Sequence, residues 1–227
     1  MKVSRMATFL KYRKLITIGI IITGLLSLAF GIVTFYAENT GNYIIALENN
    51  DSKSMSLSKT SDFAESRDRL YATSVKNMTN IDGNNDIDEE AVASVDGSNN
   101  KSRSYLAYTF YLKNVGSEIY DYRMNINITA VKGGIDSALR VRVIRGDEPS
   151  VTYAKVQEQG QIGEPEPGTL PFVSQYVVVD EIVPNFKTSE IHKYTVIIYI
   201  EGNDPECKDD ILSSSIKMEM HFEVIGL

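Results

Sequence analysis

The chain predicts an all-β fold, an antiparallel β-sandwich of jelly-roll type, preceded by a single N-terminal transmembrane helix. Three observations carry that prediction. Residues 15–37 form one uncharged apolar run behind a basic head. No strong amphipathic helical pattern follows residue 37. In its place, short runs rich in Tyr, Ile, Val, Thr and Phe recur between turns containing Gly and Pro, which is the pattern of a sandwich.

The head, residues 1–14, carries Lys2, Arg5, Lys11, Arg13 and Lys14 and no acidic residue. The run behind it, LITIGIIITGLLSLAFGIVTFYA, would be roughly 34 Å long as a helix at ~1.5 Å per residue, enough for a bilayer core of about 30 Å. Positive charge stays on the cytoplasmic side. The expected layout is therefore a cytoplasmic head at 1–14, a transmembrane helix or uncleaved signal anchor at 15–37, and an extracytoplasmic domain at 38–227. The alternative is secretion after cleavage near Ala37. A tether is the preferred reading, because the run exceeds the ~7–15 apolar residues of a signal peptide. Phe35 also stands where a cleavage site wants a small residue.

Charge narrows the partners. The chain carries −7 overall; without the five basic residues of the head, 18 basic residues of 23 face 30 acidic ones, a balance of −12. Such a domain lacks the basic surface that nucleic acid requires, so no nucleic-acid partner is expected. Cys207 is the single cysteine, which leaves no internal disulfide framework for an exported domain. Its stability must come from its core.

The β-type runs fall at Tyr43–Leu47, Met55–Ser58, Tyr105–Leu112, Tyr120–Val131, Leu139–Ile144, Val151–Val156, Phe172–Val183, Lys193–Ile200 and Ile216–Ile225. Two alternate cleanly. Tyr122, Met124, Ile126 and Ile128 share one face of a strand whose other face is Arg123, Asn125, Asn127 and Thr129. Ile216, Met218, Met220, Phe222 and Val224 alternate with Lys217, Glu219, His221 and Glu223. Both patterns describe a half-buried strand. Turn residues separate the runs: Asn114 to Ser117, Lys132-Gly-Gly134, Arg145-Gly-Asp147, and the Pro/Gly loop Gln159–Pro171. A short helix is expected at Ser61–Arg69 or Asp136–Leu139. Residues 82–100 read as a mobile, acidic surface loop.

Motifs for chemistry are sparse. The chain has no HExxH, CxxC or GxSxG and no phosphate-binding glycine loop. Its two histidines, His192 and His221, both read as surface residues, although Glu219 and Glu223 flank His221. A zinc site would need three protein ligands and an open position. Two acidic stretches, Asp82–Glu90 and Glu201–Asp210, carry oxygen ligands of the kind Ca²⁺ takes. Ile87 stands where an EF-hand loop needs Gly, and Ala93 where it needs Glu. Both stretches read better as solvated connections. The chain is accordingly expected to be non-enzymatic, with no catalytic, cofactor-binding or metal-ligating residue assigned and no cofactor. Trp is absent, which leaves Tyr105, Tyr108 and Tyr111 as the aromatic residues to examine for a flat binding face.

Several segments resemble the TasA/camelysin group of Gram-positive surface and biofilm-matrix proteins. Phe110-Tyr-Leu-Lys-Asn114-Val-Gly116-Ser117 is similar to that family's strand ending in Asn-x-Gly-Ser. Arg140-Val-Arg-Val143 resembles its central strand. Tyr194–Ile200, an acidic loop and Ile216–Phe222 resemble its closing strand pair, and Met55-Ser-Leu57-Ser58 its early Leu-x-Leu-Ser segment. Ser54 replaces the usual Gly, and Phe35-Tyr-Ala-Glu38 departs from the family's cleavage region. The resemblance implies a jelly-roll-like sandwich, self-association, and donation of an N-terminal strand, here Asn42–Leu47, to a neighbouring subunit by β-augmentation. Pairing of Tyr43–Leu47 within its own sheet is the other reading. The expected function is a bacterial cell-surface structural or interaction protein, membrane-anchored or exported, of biofilm-matrix or fibre type. It would reach other surface proteins or copies of itself through strand edges, and the lipid bilayer through residues 15–37. The alternatives are a camelysin-type metallopeptidase and a Ca²⁺-binding adhesin or sensor ectodomain.

Overall fold

The computed structural model describes residues 16–29, 43–48, 54–75, 77–100, 103–156, 167–211 and 213–225. The chain divides into two units, residues 1–40 and 41–227. In the first unit, residues 16–29 form helix α1, with its side chains exposed. The Thr23 hydroxyl donates to the Gly19 carbonyl at 2.9 Å, a bond to the preceding turn that spares the helix an unpaired hydroxyl. Among the described residues no helix is long and apolar enough to cross a membrane. The basic head and the remainder of the 15–37 run lie outside the described residues.

The second unit is an all-β sandwich. Its elements are β1 (Tyr43–Leu47), β2 (Met55–Ser58), β3 (Ser66–Arg67), β4 (Arg69–Tyr71), helix α2 (Glu89–Ala93), β5 (Gly97–Ser98), β6 (Tyr105–Asn114) and β7 (Tyr120–Lys132). They continue with β8 (Leu139–Arg145), β9 (Val151–Ala154), β10 (Leu170–Pro171), β11 (Val177–Phe186), β12 (Ile191–Ile200) and β13 (Ser215–Ile225). The smaller sheet has the order β11-β7-β13-β1-β4. The larger runs β10-β9-β8-β12-β6-β2-β3, with β5 also paired to β6.

The period-two patterns set the faces. Tyr122, Met124, Ile126 and Ile128 of β7 and Met218, Met220 and Phe222 of β13 are buried against Phe110 and Leu112 of β6 and Tyr194, Val196 and Ile198 of β12. At one end this core is aromatic. Phe110 stacks on Tyr194 at 5.6 Å and meets Phe222 edge-on at 5.9 Å, and Phe186 packs edge-on against Tyr122 at 5.0 Å. The turn at Lys132–Gly134 requires glycine for two reasons. Gly133 sits at φ +75°, and a Cβ there would lie 2.1 Å from Ser214 Oγ.

Four expectations need correction. The sandwich is not wholly antiparallel, because β1 runs parallel to β13 and β10 parallel to β9. β1 and β13 come from opposite ends of the domain, and no tight hairpin dictates their relative direction. No helix forms at 61–69. Asp62 there accepts from the Thr60 hydroxyl and the Ala64 N–H, a side-chain turn that competes with helix. The second site gives a single 3-10 turn, Ile135–Ser137. The strand expected from Phe172 begins only at Val177, since Ser174 Oγ accepts from the N–H groups of Tyr176 and Val177 and makes a turn.

The fourth correction concerns residues 82–100, read as a surface loop. The segment holds α2 and β5 and forms a third layer on the outer face of the larger sheet. Ile81, Ile87 and Val92 pack there on Tyr105, Ala107, Ile144, Ile197 and Tyr199. Asp88 caps α2 by accepting from the Ala91 N–H at 3.0 Å. The apolar residues of this stretch are spaced too widely, among Asn and Asp, to show a period.

Candidate functional site

The two acidic stretches separated in sequence meet in the structure. Ile81 bridges to Glu201, and the Ile81 N–H donates to Ile200 O at 3.0 Å. Glu201, fully buried, accepts from the N–H groups of Gly83 and Asn203, both at 3.0 Å. Asp204 accepts from Arg140 Nη2 at 2.7 Å and from the Glu206 N–H at 2.7 Å. Asp82 accepts from the N–H groups of Asn84 and Asn85, the Asn85 amide and the Asn203 amide. The Asn85 amide, foremost among these donors, holds the Asp82 carboxyl below the usual carboxylate range. The oxygens thus face N–H and guanidinium donors rather than one common point. Among the described residues no group of three or more His, Cys, Asp or Glu side chains is arranged to hold a metal ion.

Arg142 joins this junction from β8. It donates to Thr152 Oγ1, Gly83 O, Glu89 Oε1 and the Tyr199 hydroxyl at 2.9–3.1 Å. Arg140 and Arg142, in the segment that resembles a central strand, are both buried. Their role is to fasten the third layer and the 201–204 turn to the sheet.

The histidines are not brought together. His192 lies on β12, at the aromatic end of the core and half-buried rather than on the surface. Its Nδ1 is 2.6 Å from the Tyr122 hydroxyl, which also contacts the Tyr194 hydroxyl, and its ring centroid is 4.5 Å from that of Phe186. Its Nε2 is 3.5 Å from Glu190 Oε1. A neutral ring with its proton on Nε2 lets Nδ1 accept from Tyr122. Burial pushes the His192 pKa down, against the opposing pull of Glu190. His221 lies on β13 of the other sheet, 3.1 Å from Glu219 and 3.3 Å from Glu48, and it shares no carboxylate with His192. The tyrosines make no open platform. Tyr105 and Tyr108 are buried, and the Tyr111 hydroxyl donates to Asp96 at 2.8 Å.

The Asn114-Val-Gly-Ser turn is a structural staple. The Asn114 amide donates to Glu118 O at 2.9 Å and Phe186 O at 2.8 Å, and its carbonyl accepts from the Gly116 N–H at 2.9 Å. Nearby, the Tyr120 hydroxyl donates to Ser54 O at 2.6 Å. These bonds tie β6, β7, β11 and the start of β2 into one corner.

Two further features are the seat of β1 and a cavity. The five-residue β1 lies between β13 and β4, with Tyr43 and Ile45 fully buried in the core. The Tyr43 hydroxyl donates to Met220 Sδ at 3.1 Å, and burial pushes its pKa well up. The open sheet edges offer much less. β3 and β10 have two residues each and β4 has three. β11 is long, but its pairing is broken by register shifts, and it carries Pro184 and Asn185 at φ +60°. Short or bulged edges of this kind discourage strand addition.

The second feature is a cavity of about 830 Å³ at the end of the sandwich away from His192. Leu106, Leu139 and Ile198 of the larger sheet form one wall and Ile216 and Met218 of β13 the other. Val75, residues 77–80, 207–209 and 213–215, and Ile211 border its mouth. At ~24 cal/mol per Å³, a dry sealed void of that size would cost roughly 20 kcal/mol, more than the ~5–15 kcal/mol stability of a typical protein. It is therefore a pocket open to solvent. Comparisons with protein-family models, with curated proteins and with solved structures returned no match for the chain.

Proposed function

We propose that the chain is a bacterial cell-surface structural and interaction protein, held at the membrane by residues 15–37, whose sandwich associates with neighbouring copies by exchanging β1. The observation that carries the association is the seat of β1. The first strand of the folded unit supplies the buried ladder between β13 and β4, whereas the permanent edges are short or bulged. A second copy of β1 would meet the same backbone partners and the same side-chain pockets, which is the physics of β-augmentation. The uncharged run behind a basic head supports the tether, and the resemblance to TasA/camelysin proteins supports the jelly-roll kinship and the matrix or fibre role.

Residues 38–42 alone separate the apolar run from β1. A retained anchor would confine exchange to neighbours in the same membrane, while cleavage near Ala37 would free the sandwich to build fibres.

The localisation is tested on intact cells by adding protease outside and then sequencing the N-terminus of the protein from the membrane fraction. Digestion of the sandwich from outside, with Met1 or its successor still present, is the expected result. A sandwich protected until the cells are lysed would contradict the reading.

A further inference from the structure

The cavity at the end of the sandwich is unused by strand exchange. Its apolar walls are aliphatic throughout, Val, Leu, Ile and Met, with no aromatic ring among the described lining residues. The ring–ring contacts of the core cluster at the opposite end, around Phe110, Tyr122 and Phe222. A pocket for a planar ring would be expected to offer a ring for stacking. An aliphatic slot suits a flexible hydrocarbon chain. Its volume of about 830 Å³ lies within the roughly 300–1,000 Å³ of small-molecule sites.

The mouth has the opposite chemistry. Asn77, Thr79, Asn80 and Ser213–Ser215 supply amides and hydroxyls, and Lys208 stands beside Asp209. Such a rim hydrogen-bonds a small polar head without selecting strongly for charge. The rim is also hydrogen-bonded. Ser214 Oγ donates to Gly133 O at 2.8 Å, Asn80 Nδ2 lies 3.6 Å from Cys207 Sγ, and the Thr79 N–H donates to Arg103 O at 3.2 Å. Ser214 is thereby tied to the turn after β7, Thr79 to Arg103, and the two sides of the rim to each other through Asn80 and Cys207.

We infer that this cavity binds a single unbranched acyl chain, with the chain between β8/β12 and β13 and its polar head at the 77–80 and 213–215 rim. The inference does not depend on strand exchange.

The test uses the full chain in phosphatidylcholine vesicles. Two photoactivatable probes carry a diazirine within the acyl chain, palmitic acid in one arm and phosphatidylcholine in the other. After illumination and trypsin digestion, adducts are expected on the peptides Tyr194–Lys208 and Asp209–Lys217, and excess unlabelled palmitate should remove them. Labelling by the fatty acid alone identifies a free acid as the source of the chain, and labelling by the phospholipid identifies the bilayer. Adducts restricted to Leu15–Lys53, or adducts on the cavity peptides that palmitate does not displace, would overturn the inference. Ile211→Trp and Met78→Trp, which fill the mouth, should each lose the cavity label while keeping the wild-type far-ultraviolet circular dichroism. Full labelling of both folded variants would also overturn it. If either variant fails to fold, the displacement result on the wild-type chain decides.

Discussion

Arg140 and Arg142 occupy one face of β8, two residues apart, and both guanidinium groups are buried beneath the third layer. A buried cation is tolerable only while its partners remain. Asp204→Ala removes the carboxylate 2.7 Å from Arg140 and should cost about 3–5 kcal/mol of unfolding free energy, measured by urea denaturation; a loss under about 1 kcal/mol, the worth of an exposed pair, would contradict the burial. His192 sets a pH dependence. Burial lowers its folded pKa, so the unfolded chain takes up the proton first. The stability tied to its neutral form is complete above the ordinary histidine value of about 6.5 and is lost as pH falls from there through the folded value. The urea midpoint of the wild type should therefore drop more steeply between pH 7 and pH 5 than that of His192→Gln. Parallel profiles would show that the Tyr122–His192 contact carries no such linkage. Neither site was legible in the sequence. His192 read as a surface residue ahead of a strand and the arginines were assigned no face, because local pattern says nothing of what a distant segment later covers.

Strands were the most legible elements. β1 and β2 have the bounds their patterns predicted: Tyr43, Ile44 and Ile45 suit a pleated surface, and Met55 and Leu57 alternate with Ser56 and Ser58. The direction of β1, the late start of β11 and the folding of residues 82–100 onto the sheet were not legible. Each depends on long-range pairing or on side-chain turns rather than on local period. The Asn-x-Gly-Ser motif was visible as a turn, but its purpose was not. Because the Asn114 amide serves Glu118 O and the buried Phe186 O, Asn114→Ala should destabilise the sandwich by about 1–3 kcal/mol, read from the thermal midpoint. An unchanged midpoint would show that the corner is not held by this side chain.

At the scale of the molecule, the parts assemble around one question: what the first strand does. The acidic loops are consumed in fastening a layer to the sheet, and the histidines serve separate faces. The permanent edges are short or broken by register shifts, and the proposed exchange therefore rests on the five-residue β1 ladder. Its position beside β13 brings Ala46 opposite His221, and that register supplies the most direct measurement. In a Cys207→Ser background, chains carrying Ala46→Cys and chains carrying His221→Cys are produced separately, mixed in membranes and treated with a short bis-maleimide. Exchange of β1 predicts a covalent dimer that forms only in the mixture. Exclusive formation of monomeric products in the mixture, with the double variant in one chain closing its own link efficiently, would contradict the account and return β1 to a purely internal role.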